Sequence, residues 1–157
     1  MRGQPLDLPY QLLKHISIIE NIMAKILIVE DDVQLSDLYL NTFNFSGFET
    51  HVAKDGLEGL SKVSEIVPDL ILLDIMMPKM NGIDLLKKLK DQDTTKNIPI
   101  VILSNFSDES IAKEAMANGA LAYIIKSDYE PSQIVKLVKD ILNKTYVPNT
   151  NQPAAND

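Results

Sequence analysis

The 157-residue chain contains no cysteine, which excludes disulfides, thiolate metal sites and cysteine nucleophiles together. That composition suits a reducing compartment, and a cytoplasmic location is expected. Long hydrophobic runs are missing too. Stretches such as Leu70–Leu73 cover four residues, against the roughly 20 needed to cross a bilayer. The N-terminal segment has an early Arg2, but its apolar stretch is broken by Lys14, His15 and Glu20. It does not read as a signal peptide, and no membrane association is expected. Positive charge is scarce: 15 Lys and Arg stand against 22 Asp and Glu, a net charge of −7. Nucleic-acid binding draws on cationic contacts to phosphate, so direct nucleic-acid recognition is not expected. His15 and His51 are isolated and lack a spaced partner for metal binding. His51 reads as a strand-face residue.

What is present is enough apolar material for one core, at 45% hydrophobic residues in a chain of single-domain length. Short apolar runs at Ile26–Val29, Phe48–Ala53, Leu70–Leu73, Ile100–Leu103 and Ala122–Ile125 read as strands. Three of them are almost unbroken Ile, Leu and Val, as strands buried on both faces of a parallel sheet must be. Helical stripes lie between them: Leu35, Leu38, Tyr39, Thr42 and Phe43; Leu57, Leu60, Val63 and Val67; Leu85, Leu86 and Leu89; Ala112, Ala115, Met116 and Gly119. A last stripe runs through Ile134, Leu137, Val138, Ile141 and Leu142. Five strands alternating with five helices predict an α/β fold, with right-handed crossovers and helices on both faces of a doubly wound parallel sheet.

This core domain is expected over residues 24–143. Residues 1–22 carry a weak amphipathic stripe (Leu12, Ile16, Ile19). They read as a linker or an upstream-start extension before Met23-Ala24-Lys25, in preference to a partner-binding helix. Residues 144–157, rich in Asn, Pro, Thr and Ala, are expected to be disordered.

Ligands of an open α/β sheet collect beyond the carboxyl ends of its strands. Four such ends carry chemistry: Glu30, Asp31 and Asp32 after the first strand, Asp74 after the third, Ser104 after the fourth and Lys126 after the fifth. Each alone has an ordinary structural job, such as turn former, helix cap, loop hydroxyl or surface cation. Together they supply what one phosphoryl-transfer site needs. Crowded carboxylates repel by about 4 kcal/mol per close pair at an effective dielectric near 20. A hard divalent cation relieves this, and Mg²⁺ takes one or two carboxylates, waters and phosphate oxygens. Asp31 and Asp74 would be direct ligands, with Glu30 reaching through water. An ionised Asp74 can attack a phosphoryl donor, while Lys126 and Ser104 stabilise the transferred oxygens.

The segments ILIVEDD (Ile26–Asp32), PDLILLDIMMPKMNG (Pro68–Gly82), PIVILSN (Pro99–Asn105) and NGALAYIIKS (Asn118–Ser127) resemble the receiver domain of bacterial two-component response regulators, of the chemotaxis-regulator-like kind. The resemblance covers residues 24–143. It implies a flavodoxin-like sheet of order 2-1-3-4-5, a protein class for which that order is a standing example. It makes Asp74 the phosphoacceptor, Glu30 and Asp31 the metal-site acids, and the Met76 carbonyl a further Mg²⁺ ligand. It also makes Ser104 the switch hydroxyl, Lys126 the site lysine and Tyr123 the aromatic switch.

Several positions depart from that pattern. Ser127 follows Lys126 where many receivers have proline, and a cis bond before serine would cost about 3–4 kcal/mol. Ser127 with Glu130 instead spells a capping box for the last helix. Asn105 is larger than usual beside Ser104 and is expected to narrow access to Asp74. Met76 and Phe106 cannot orient a water, so slow self-dephosphorylation is expected. Pro78, Met80 and Gly82 are expected to shape the loop after Asp74.

The expected function is that of a stand-alone response regulator: Asp74 takes a phosphoryl group, with Mg²⁺, from a histidine kinase or histidine phosphotransfer protein. The changed surface of the fourth helix, fifth strand and fifth helix then signals to another protein, by homodimerisation or as a relay step. Self-phosphorylation and dephosphorylation are its whole catalysis, so it is not expected to be an enzyme in the usual sense. Three alternatives are weaker. A pseudo-receiver scaffold would not need the complete acid, hydroxyl and lysine set. A phosphohydrolase would want an acid where Met76 stands. A DNA-binding regulator would need a basic helix or a further domain.

Overall fold

The computed structural model describes residues 9–15 and 24–148. Residues 10–15 form a short helical stretch with exposed side chains. Ile16 and Ile19 of the N-terminal stripe, and residues 149–157 of the tail, lie outside the described residues.

The core domain alternates as expected: β1 (Lys25–Val29), α1 (Val33–Phe45), β2 (Glu49–Ala53), α2 (Gly56–Ile66), β3 (Leu70–Asp74), α3 (Gly82–Lys90), β4 (Ile100–Ser104), α4 (Glu109–Ala117), β5 (Ala122–Ile125) and α5 (Pro131–Leu142). The five strands are all parallel, in the order β2-β1-β3-β4-β5. This is a doubly wound α/β sheet of the flavodoxin-like receiver type. Every residue of β3 and β4 is buried, which explains their unbroken apolar sequences. The edge strand β2 is only partly shielded, so it tolerates Glu49, Thr50 and His51. The strand order reverses between β1 and β3, where a crevice opens at the carboxyl ends.

Side chains divide into two cores by the alternation of strands. Leu27, Val29, Ile71, Leu73, Ile100 and Ile102 face α2, α3 and α4. Ile26, Ile28, Leu70, Leu72, Val101 and Leu103 face α1 and α5. In the second core Phe43 packs on Phe48, ring centroids 5.6 Å apart.

The structure amends several sequence readings. Phe48 precedes β2 and closes α1, donating its amide to the Phe43 carbonyl at 3.1 Å. β3 and β4 each run one residue further than expected, taking in Asp74 and Ser104. Leu57 in α2 and Val67 at its C-cap face solvent. Gly56 and Gly59 are buried there instead, and a Cβ on Gly59 would sit 3.2 Å from the Val29 side chain. Leu38 of α1 is also exposed, while Ser36 is buried. The capping box of α5 is formed by Glu130 and Gln133 and does not involve Ser127, because residues Lys126–Asp128 make a short 3-10 turn that puts the helix start later. The described residues contain no cis peptide bond, Lys126–Ser127 included.

The expected disorder from Lys144 is also amended for residues 144–148. Lys144 takes a left-handed φ of 59°, and the amides of Thr145 and Tyr146 return to the Asp140 carbonyl at 2.9 and 3.1 Å. Tyr146 then packs beside Tyr129 and Leu137. Aromatic burial outweighs the polar composition there, although the Tyr146 hydroxyl is buried without a hydrogen-bond partner.

Candidate functional site

The ends of β1, β3, β4 and β5 place their side chains at one rim, as the parallel register requires. Asp74 pairs with Leu103 across the sheet, and Ser104 with Ile125, so Asp74, Ser104 and Lys126 follow each other along adjacent strand ends. Glu30 leaves β1 with its amide bonded to the Ala53 carbonyl at 2.9 Å. Asp32 serves the fold instead, capping α1 by accepting from the Leu35 amide at 3.0 Å.

Lys126 reaches across this rim. Its ammonium donates to Glu30 Oε2 and lies 3.3 Å from Asp74 Oδ2. All three side chains are buried, while Asp31 is exposed. Carboxylate oxygens of Glu30, Asp31 and Asp74 lie within 4.8 Å of one another. A cavity of about 230 Å³ opens beside them, lined in part by Met76, Asn105 and Phe106. Met76 and Phe106 are both exposed at its mouth.

Electrostatics follow from this crowding. Burial pushes the Asp74 carboxyl above the usual range, and the Lys126 charge and hydrogen bond pull it back. Burial also raises Glu30, opposed by its hydrogen bond from Lys126 and reinforced by the Asp74 charge. Tyr39, behind the site on α1, is pushed up to about 12 by burial and then by the charges of Glu30 and Asp74. With three carboxylates and one ammonium in contact, the ionised cluster keeps a charge of −2, which a divalent cation would cancel.

The chemistry of the donor set fits Mg²⁺, an oxygen-seeking ion with ligands at about 2.0–2.1 Å. Opposite ligands of such an ion stand about 4.2 Å apart, the same scale as the spacing of these oxygens, which lie within 4.8 Å of one another.

Ser104 is fully buried and Tyr123 nearly so, and both are tied to one residue. The Phe106 amide donates to Ser104 Oγ at 3.0 Å, and Tyr123 donates its hydroxyl to the Phe106 carbonyl at 2.9 Å. The Tyr123 ring packs among residues of the first core. Two contacts carry no local sequence signal: that of Tyr123 with Phe106, 17 residues away, and that of Lys126 with Glu30, 96 residues away. Both are products of strand order.

The family described as the response regulator receiver domain matches residues 26–139. This chain belongs to that family. The receiver is 34% identical over 135 residues to the DNA-binding response regulator MtrA of Mycobacterium tuberculosis, covering 86% of this chain and 56% of MtrA. It is 32% identical to a CpxR homolog, a transcriptional regulatory protein of Haemophilus influenzae, covering 82% of this chain and 55% of the homolog. It thus spans about half the length of these relatives. Among solved structures it resembles the chemotaxis response regulator CheY4 of Vibrio cholerae, with TM-score 0.69 and 29% identity over 79% of this chain and 99% of that one. The Francisella response regulator 1452 receiver domain gives TM-score 0.71 and 30% identity over 78% of this chain and 99% of that one. No helix of the described receiver residues is long and apolar enough to cross a membrane.

Proposed function

We propose that this receiver accepts a phosphoryl group on Asp74 from a phosphohistidine, in a Mg²⁺-dependent reaction, and passes the signal on through a changed protein-binding surface. The observation that carries the reading is the Lys126 ammonium 3.3 Å from Asp74, inside a pocket shared with Glu30 and Asp31.

Glu30, Asp31, Asp74 and the Met76 carbonyl would hold the ion, which when bound neutralises the carboxylates and the phosphoryl oxygens. Asp74, ionised, forms an O–P bond as the P–N bond to the donor imidazole breaks, and the released imidazole nitrogen takes up a proton. Lys126 is already placed to meet a phosphoryl oxygen. Ser104 Oγ can turn to a second oxygen by giving up the Phe106 amide. That loosens the segment which also receives the Tyr123 hydroxyl, and so biases the surface formed by α4, β5 and α5. Met76 and Phe106 flank the pocket with side chains that cannot hydrogen-bond an attacking water, so phospho-Asp74 should be long-lived; a lifetime of seconds in Mg²⁺ would refute that.

The donor is a histidine kinase or a histidine phosphotransfer protein, and the receiver acts in the cytoplasm, through another protein or a second copy. Its own acidic balance gives no support to direct DNA contact; in MtrA, a DNA-binding regulator, the matched part leaves nearly half of the protein unaccounted for. Incubation with a small-molecule acyl phosphate and Mg²⁺ should label the wild type and leave Asp74→Asn unlabelled. Equal labelling of both would overturn the assignment of Asp74, and no labelling of the wild type would leave a scaffold not controlled by phosphorylation.

A further inference from the structure

The loop between Asp74 and α3 is gripped at its base and at its tip. At the base, the Gly82 amide donates to the Ile75 carbonyl at 2.8 Å. A Cβ on Gly82 would lie 2.1 Å from the Asp74 carbonyl oxygen, so the loop closes directly behind the phosphoacceptor. At the tip, the Met80 amide donates to the Pro78 carbonyl at 2.8 Å. The Met80 carbonyl oxygen would lie 2.4 Å from a Cβ on Gly56, so the tip rests on the first residue of α2.

Between these contacts stands Lys79, with a left-handed φ of 68°. A glycine would adopt that conformation without strain, and a lysine does not. What the lysine adds is a charge. Its Nζ lies 3.3 Å from Asp55 Oδ2, and the lysine is largely exposed (61%) while the aspartate is buried (6%). The anchor itself is fixed, because Asp55 Oδ1 accepts the Glu58 amide at 2.8 Å as the cap of α2. Met76, by contrast, grips the site with a long 3.4 Å hydrogen bond to Asp74 Oδ1. The shape of the loop that carries Met76 therefore depends on its two remote grips.

We propose that the Lys79–Asp55 pair is a tether that holds this loop in its cation-binding shape, making Lys79 a positioning residue. The inference rests on the reading that Asp74 and the Met76 carbonyl help to hold Mg²⁺. A purely structural role for Lys79 and the tether give different results for one variant. Lys79→Gly relieves the left-handed strain yet cuts the tether, so folding improves or holds while the ion is held less well.

The test is calorimetric titration of Mg²⁺ into the full chain, with thermal melting of the same proteins. Lys79→Met and Lys79→Gly should bind Mg²⁺ roughly tenfold more weakly, the scale of losing a group that orients a metal ligand. Lys79→Arg keeps the charge and should stay within about twofold of wild type. Lys79→Gly should melt no lower than Lys79→Met. Wild-type affinity in Lys79→Met would overturn the tether alone. Failure of the wild type to bind Mg²⁺ would overturn the underlying reading and the tether with it.

Discussion

Leu73 and Asp74 are neighbours in β3 and almost equally shielded from water, at 0% and 6% exposure, yet they act on stability in opposite directions. Leu73 lies among apolar side chains of the first core, where burying a leucine is worth about 1.5–3 kcal/mol. Asp74 is buried beside another buried carboxylate, and one ammonium serves both. Desolvation raises both carboxyls, so their ionised forms weaken the folded state. The interior of the sheet is built for stability, and its rim gives some of that up to keep a charged pocket. One strand makes both, one residue apart.

The comparison can be broken at either end. The largest effect should come from the interior. Phe43 is fully buried against Phe48, and Phe43→Ala should destabilise by about 3–5 kcal/mol in denaturant titration. A loss under about 1 kcal/mol would mean that this core is far looser than its packing implies.

At the rim, Lys126→Met should cost about 2 kcal/mol at neutral pH without Mg²⁺, less than a sealed ion pair because a cavity opens beside it. The pH dependence has a definite sign. Carboxyls whose folded pKa is raised contribute stability that is complete below their unfolded pKa and is lost as pH rises through the folded value. Removing Lys126 removes what pulls both back down. The deficit of the variant should therefore shrink as pH falls into the carboxylate range. A deficit that stays constant with pH would show the loss to be packing alone.

Smaller again, and opposite in sign, Asp74→Asn should raise the stability of the metal-free protein by about 1 kcal/mol at neutral pH, by removing one of two competing buried charges. Added Mg²⁺ should stabilise the wild type more than this variant. A melting temperature lowered by the substitution would contradict the view of the rim as a cost.

The smallest effect belongs to Asp55, whose carboxyl is held below its usual range by the Glu58 amide first and by Lys79 after it. A depressed carboxyl contributes stability above its unfolded pKa that is lost as pH falls through the folded one. Asp55→Asn should thus flatten the acid limb of stability slightly, below about pH 4, while leaving neutral stability close to wild type. An unchanged acid limb would remove Asp55 from that account.

The alternation of apolar runs and helical stripes was enough to write the five strands, the five helices and the candidate residues at four strand ends, because strand burial on both faces and helix amphipathicity leave periodic marks on the chain. Local composition misled where burial was decided from elsewhere. Leu57 and Val67 fit the stripe of α2 but face solvent, while Gly59 is buried in close approach to β1. Ser127 fits a cap, but the 3-10 turn moved the cap of α5 to Glu130. The polar tail from Lys144 hid a tyrosine with a place to pack.

From its own order of residues, then, the chain determines which segments become strands and helices and which acids, hydroxyl and amine end those strands, since these depend on short-range periodicity. Only the tertiary structure decides that Lys126 divides its charge between Glu30 and Asp74, that Phe106 joins Ser104 to Tyr123, and that Lys79 meets Asp55. Those contacts join residues brought together by strand order and loop closure, and neither leaves a periodic trace in a linear sequence.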